Sequence, residues 1–416
     1  MQFPRMVKIR QALYGEVLPE VGKAVQRKLA HIGLAGQVRP GMKVAITAGS
    51  RGIAGLPEVL EAIVIFLKSQ GAKPFIIPAM GSHGGATAEG QVKILASLGV
   101  TEKRIGAPIC SSMEVVKIGE IGNATPVYMD ALAAQADGII IVNRVKEHTD
   151  FAAPLESGLM KMLAVGLGKH AGAGALHALG WEQMPENIAL AGRLILAKAP
   201  VLCGVAIMEN AYQGIAKVRV FRAEEIEQGE QRLLQQVKRH APRLPFKELD
   251  ILVVERLGKE ISGVGMDPNI TGRFAVPVKR PGGSLHCSRV VVLGLTEASR
   301  GNGIGIGVAD IITQRCAEAI DTQATYANAL TSGNFIAARI PLTLENDRAA
   351  IAAALTCGFS APPEKVRLVR ISDTLHLDTF QVSEGLLAEV ENHPALTIIG
   401  KPRPMRFDKA GNLVGQ

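Results

Sequence analysis

The chain has 416 residues, 47% of them hydrophobic and 20% charged, a balance that fits a globular protein and excludes intrinsic disorder. Lysine and arginine outnumber aspartate and glutamate by 46 to 38, for a formal charge of +8. These cations are dispersed and only 4% of residues are aromatic, so no nucleic-acid surface or base-stacking platform is indicated. Five cysteines (Cys110, Cys203, Cys287, Cys316, Cys357) lack CxxC spacing, which argues against a disulfide framework or a zinc site. No run reaches the ~20 apolar residues of a membrane span, and the opening MQFPRMVKIRQ has no apolar signal-peptide core. The expectation is a cytoplasmic protein.

In chain order, apolar runs alternate with amphipathic stretches, the pattern of βα units and a parallel sheet. The spacing predicts a strand at 43–48, a helix at 56–69, a strand at 74–79, a helix at 87–98, a helix near 129–135 and a strand at 138–142. A helix at 187–198, strands at 201–208 and 216–221 and a charged helix at 224–240 follow. The stretch 240–249, with two prolines and several cations, reads as a linker and divides the chain into residues 1–245 and 246–416. Beyond it, strands are predicted at 251–255, 290–293, 335–339 and 366–371, and helices at 309–319, 347–355 and 384–391. The expected fold class is α/β, two α/β domains with largely parallel sheets and an active-site cleft between them. The tail from about residue 400 is expected to pack back on the first domain.

In such sheets ligands bind outside the carboxyl ends of the strands. The first predicted strand ends in Gly49-Ser50-Arg51-Gly52, the second in Gly81-Ser82-His83-Gly84-Gly85, and the third in Asn143-Arg144-Val145-Lys146-Glu147-His148. Arg51, His83 and His148 should therefore converge on one edge. Arginine binds a carboxylate in bidentate fashion and histidine exchanges protons near neutrality, so the trio suits a carboxylate substrate that gains and loses a proton. Further on, Lys161 lies in a Gly- and Met-rich apolar stretch. It is either a desolvated amine with a lowered pKa, hence a nucleophile, or a lysine whose amine snorkels from a helix end. His170 and His177, seven residues apart, would lie about 10 Å apart on one helix, too far to share a metal.

Taken in order, these motifs resemble the nickel-dependent lactate racemase family of 2-hydroxyacid racemases and epimerases. The Ser50-Arg51 strand end is similar to the family's arginine loop, and Gly81-Ser82-His83, with Thr87 beyond, to its Gly-x-His loop. His148 resembles the second catalytic histidine. Lys161, before MLAVGLG, resembles the cofactor-anchoring lysine, and His177 the nickel-ligating histidine. The resemblance implies an isomerase that inverts the hydroxyl-bearing C2 of a 2-hydroxy acid by reversible hydride transfer to a nickel pincer nucleotide (pyridinium-3,5-bisthiocarboxylic acid mononucleotide nickel). His83 and His148 would be the catalytic bases, Arg51 a substrate-carboxylate ligand, Lys161 the anchor and His177 the metal ligand. It also implies that protein made without the cofactor's biosynthesis lacks the cofactor, and that the partner is a small molecule rather than nucleic acid or membrane. A homo-oligomer is left open.

Two departures stand out. The acidic residue that the family carries three positions before the loop arginine is Ala48 here. The Asp267-x-Asn269 element is not followed by the family's lysine, which leaves Arg273 either as a second substrate-binding cation or as a loop charge. Both suggest a substrate other than lactate. The glycine-rich run 300–307 fits neither a Walker loop nor a GxGxxG fingerprint and reads as tight turn packing. The alternatives are an NAD-type oxidoreductase of a hydroxy acid, which lacks that fingerprint, and a non-enzymatic protein of the same fold that binds an organic acid or the cofactor.

Overall fold

The computed structural model describes residues 2–122, 124–276, 284–357 and 361–414. The chain divides into two units, one of Tyr14–Ala241 and one of Met1–Leu13 together with Pro242–Gln416. β1 (Arg5–Gln11) belongs to the latter.

The unit Tyr14–Ala241 runs α1 (Val21–His31), β2 (Lys43–Ala48), α2 (Leu56–Ser69), β3 (Lys73–Pro78), α3 (Ala88–Ser97), α4 (Glu102–Ile105), β4 (Val115–Ile121), β5 (Thr125–Asp130), α5 (Ala131–Ala134) and β6 (Gly138–Arg144). Then come α6 (Leu159–Lys161), a π-helical turn (Met162–Gly166), α7 (Lys169–His177), α8 (Met184–Lys198), β7 (Val201–Glu209), β8 (Ile215–Arg222) and α9 (Ile226–His240). Five strands form a sheet in the order β3-β2-β6-β7-β8. The first four are parallel and β8 is antiparallel at the edge. In β2 five consecutive residues, 44–48, are buried, because an interior strand of a parallel sheet is covered on both faces. Val59, Leu60, Ile63 and Leu67 of α2 pack with Val44 and Ile46 in one core, and each such side chain contributes roughly 2 kcal/mol by leaving water. β4 and β5 form a separate antiparallel hairpin. The helix expected near 129–135 is shorter than predicted: Met129 and Asp130 complete β5, and the Asp130 carboxylate caps the following turn by accepting from Ala133 N at 2.9 Å.

The other unit contains β9 (Glu248–Val254), α10 (Pro268–Thr271), β10 (His286–Val292), β11 (Ile311–Thr313), α11 (Gln314–Glu318), α12 (Thr322–Ser332), β12 (Leu342–Leu344), α13 (Asp347–Thr356), β13 (Leu368–Ile371), β14 (Thr379–Ser383), α14 (Leu387–Glu391), β15 (Leu396–Ile398) and β16 (Arg403–Pro404). Its sheet has the order β12-β11-β10-β9-β13-β14-β1-β15, with β16 also paired to β1. The strands β12 to β13 are parallel, and β14, β1, β15 and β16 join antiparallel.

Two predicted elements differ here. Residues 309–319 do not form one helix: Ile311–Thr313 is a strand between β10 and β12, and the Thr313 hydroxyl then caps α11 by accepting from Cys316 N. Residues 335–339 are not a strand. They make a 3-10 turn (Ile336–Ala338), with Phe335 exposed and the Ala337 carbonyl accepting from Gly305 N at 2.8 Å. The glycine-rich run is indeed tight packing: Gly305 has φ +93°, and a Cβ there would lie 1.8 Å from Val264 O. All five cysteines are unbridged. Among the described residues no helix is long and apolar enough to cross a membrane.

Candidate active site

Because β3, β2 and β6 are neighbours and parallel, their three following loops leave the same edge of the sheet. Ser50, from the loop after β2, contacts Nδ1 of His83, from the loop after β3, through its hydroxyl. That bond joins two loops and orients the His83 ring. The segment 159–177 packs against both: Met162 lies against Gly49, and Gly81 N donates to Gly166 O at 3.3 Å. Gly166 sits where any Cβ would come within 2.8 Å of Ala79 O, so only glycine lets the π-helical turn approach the end of β3 so closely. π-helical turns concentrate at functional sites.

His148, from the loop after β6, meets Lys161 with Nε2 2.6 Å from Nζ. Its backbone N–H donates to Glu156 at 2.7 Å, Phe151 stacks on its ring at 4.0 Å between centroids, and Asp150 N donates to Nδ1 at 3.0 Å. Glu156 in turn accepts from Ala153 N and is paired with Lys238. Burial, then the charges of Lys161, Lys146 and His177, hold the His148 imidazole well below its ordinary pKa. Burial also lowers Lys161, to about 8, with Arg51 and Lys146 adding to the shift and Asp150 opposing it. With Nδ1 accepting a backbone proton, the neutral ring carries its own proton on Nε2. The 2.6 Å contact is then a hydrogen bond donated to a neutral amine.

His177 ends α7 and meets Trp181 edge to face at 5.4 Å. The residue as a whole is exposed, yet enough protein surrounds its ring that burial, then Lys161, lower its pKa. Arg51, Lys161, His148 and His177 thus lie within electrostatic reach of one another, and the Ser50 contact brings in His83. His170, at the other end of α7, is exposed. Arg273 belongs to the other unit, where its guanidinium pairs with Asp310 at 2.8 Å and donates to Ser288 O at 2.8 Å. Ala48 is buried at the end of β2. Among the described residues no three His, Cys, Asp or Glu side chains cluster as a metal site.

Residues 12–183 match the lactate racemase N-terminal domain. That stretch carries β2, β3, β6 and the candidate-site residues Arg51, His83, His148, Lys161 and His177. The lactate racemase apoprotein from Thermoanaerobacterium thermosaccharolyticum is similar in structure at 14% sequence identity, covering 80% of this chain and 83% of that one with a TM-score of 0.47. No curated protein matches the chain.

Several residues of the candidate site carry no sequence signal of their own. Glu156 holds the His148 loop, and Glu230, on α9, accepts from Met160 N at 2.8 Å at the start of the helix bearing Lys161. Among the described residues the most deeply buried lysine is Lys169, paired with Asp130 at 2.9 Å. Its place beside Gly168, in a segment already notable for Lys161, was the one available clue.

Proposed function

We propose that the protein is an isomerase of the lactate racemase type, inverting the hydroxyl-bearing C2 of a 2-hydroxy acid other than lactate. The observation that carries this reading is the pairing of His148 with a desolvated Lys161, on the sheet edge that also bears Arg51 and His83, within a segment matching the racemase domain.

The nickel pincer nucleotide implied by that family fits the residues present. Lys161 has the lowered pKa of an amine able to form a covalent anchor, and His177 has the lowered pKa of an imidazole that is neutral near pH 7, the form that ligates a metal. Lys161 would hold the group and His177 would ligate its nickel. When bound, that group supplies a hydride acceptor and donor at the substrate carbon. The rest of the chemistry falls to the chain. Arg51 binds the substrate carboxylate with its planar fork. His148, kept uncharged by burial, takes the hydroxyl proton of one enantiomer at Nε2 in the tautomer that carries the ring proton on Nδ1, with Lys161 committed to the anchor, and His83, oriented through Nδ1 by Ser50, serves the other from Nε2. Two bases are required because the enantiomers present their hydroxyl groups on different sides, and each is expected to contribute about 10²–10⁴-fold. The buried Ala48 leaves Arg51 without the acidic neighbour of the lactate enzymes, which favours a different hydroxy acid.

The test is chiral analysis of a 2-hydroxyacid panel with protein co-produced with the cofactor pathway. Racemisation of a non-lactate acid, lost in His83→Ala and His148→Ala while nickel is retained, is the expected result. Nickel-loaded protein inert toward the whole panel would overturn the reading, and lactate as best substrate would overturn the specificity. His177→Ala should lose nickel, measured by metal analysis.

A further inference from the structure

Lys169 is wholly buried and holds φ +53°, a backbone conformation that L side chains rarely adopt. Glycine at this position would relieve both the strain and the desolvation, so the lysine needs a reason. Its ammonium forms an ion pair with Asp130 Oδ2 at 2.9 Å and donates hydrogen bonds to Pro78 O at 2.5 Å and Gln91 Oε1 at 3.2 Å. Pro78 is the last residue of β3, where the His83 loop begins. Gln91, also fully buried, donates from Nε2 to Gly81 O at 3.0 Å and to His83 O at 3.3 Å, where that loop ends. An amide has one oxygen and one nitrogen end. By claiming Oε1, the ammonium turns Nε2 toward the loop.

The same cluster reaches the other catalytic elements. Asp130 N donates to Leu167 O at 2.7 Å, just past the π-helical turn that follows Lys161, and Lys169 itself opens the helix that ends at His177. We propose that Lys169, acting through Gln91, is a positioning residue that brackets the Pro78–His83 segment (78–83) and sets the placement of the His83 imidazole. It touches no substrate in this scheme. Its kinetic consequence rests on the racemase reading, whereas its structural consequence does not.

Two variants test it. Gln91→Met removes the loop's donors and keeps the Lys169–Asp130 pair. Lys169→Met combined with Asp130→Asn removes both charges together, so that neither is left buried alone. In each, the imidazole ¹H–¹⁵N signals of His83 should shift and amide exchange across 81–85 should quicken by tenfold or more, with the signals of His393, in the other unit, as an unmoved internal control. In loaded enzyme kcat should fall about 100-fold with KM nearly constant, the cost of misplacing a catalytic group by about 1 Å. Wild-type His83 signals and loop exchange in either folded variant would overturn the proposal. Shifted His83 signals in a protein that racemises nothing would uphold the positioning role and sink the racemase reading alone.

Discussion

Lys161 and His148 share a contact whose polarity depends on one proton. Above a pH of about 8 the amine is neutral and accepts from Nε2. Below it the ammonium donates instead, and the ring proton must move to Nδ1, displacing the Asp150 N–H that Nδ1 accepts and turning toward the Asp150 carboxylate 3.6 Å away. Amine-directed labelling followed by peptide mass analysis should therefore show Lys161 half-reactive near pH 8, about 2 units below an ordinary lysine. A midpoint for Lys161 matching that of exposed lysines would contradict the lowered value. The residues that define this contact were legible because His148 follows an apolar strand and is polar beyond its end, and Lys161 is a charge inside a Gly- and Met-rich apolar stretch. Lys169, Gln91 and Asp130 were not. Their meaning comes from pairing across 78 and 39 positions of sequence, and nothing local distinguishes a buried glutamine on α3 from a solvated one.

Among the elements, the short helix bearing Lys161 depends on α9. The Glu230 carboxylate accepts the backbone protons of Leu159 and Met160, and a Cβ on Gly158 would lie 2.3 Å from its Oε1. Burial raises Glu230 to about 7, against those two hydrogen bonds. The folded state thus binds this proton more tightly than the unfolded chain does. The associated stability is complete below pH 4.5 and is lost as pH rises through 7. Glu230→Gln does not titrate. Its melting temperature relative to wild type should rise between pH 5 and pH 8, by the equivalent of roughly 3 kcal/mol. A constant difference across that range would show that Glu230 is ionised throughout. Gly158→Ala should destabilise by about 1–3 kcal/mol, read by denaturant titration.

Element by element, β2, β3, β6 and β7 were legible because strands covered on both faces are near-continuous apolar runs. β1, β4 and β5 were not, since cations interrupt β1 (RMVKIRQ) and β4 has little burial contrast. The Ile-Ile-Thr of β11 is too short to show a period, and the apolar run at 335–339 found a turn rather than a sheet neighbour.

For the whole molecule, the two units differ in how continuous they are. Tyr14–Ala241 contains both ends of its own sheet, so residues 14–241 produced alone should give a cooperative thermal transition by circular dichroism. Residues 242–416 alone lack β1, which stands between β14 and β15 and also holds β16. That fragment should melt lower, and a synthetic peptide of residues 1–13 should restore it in a saturable way. Equal melting with and without the peptide would mean that β14 to β16 hold together unaided.

The placement of β1 also sets an order of events on the ribosome. The strand leaves the exit tunnel early, yet its partners Thr379–Ser383, Leu396–Ile398 and Arg403–Pro404 are made more than 360 residues later. At typical synthesis rates that is a wait of tens of seconds. Throughout it an unpaired strand with Met6, Val7 and Ile9 destined for the interior travels beside a unit able to fold first. Its alternation with Arg5, Lys8 and Arg10, which remain outward in the finished sheet, keeps like-charged copies on neighbouring nascent chains from zipping together.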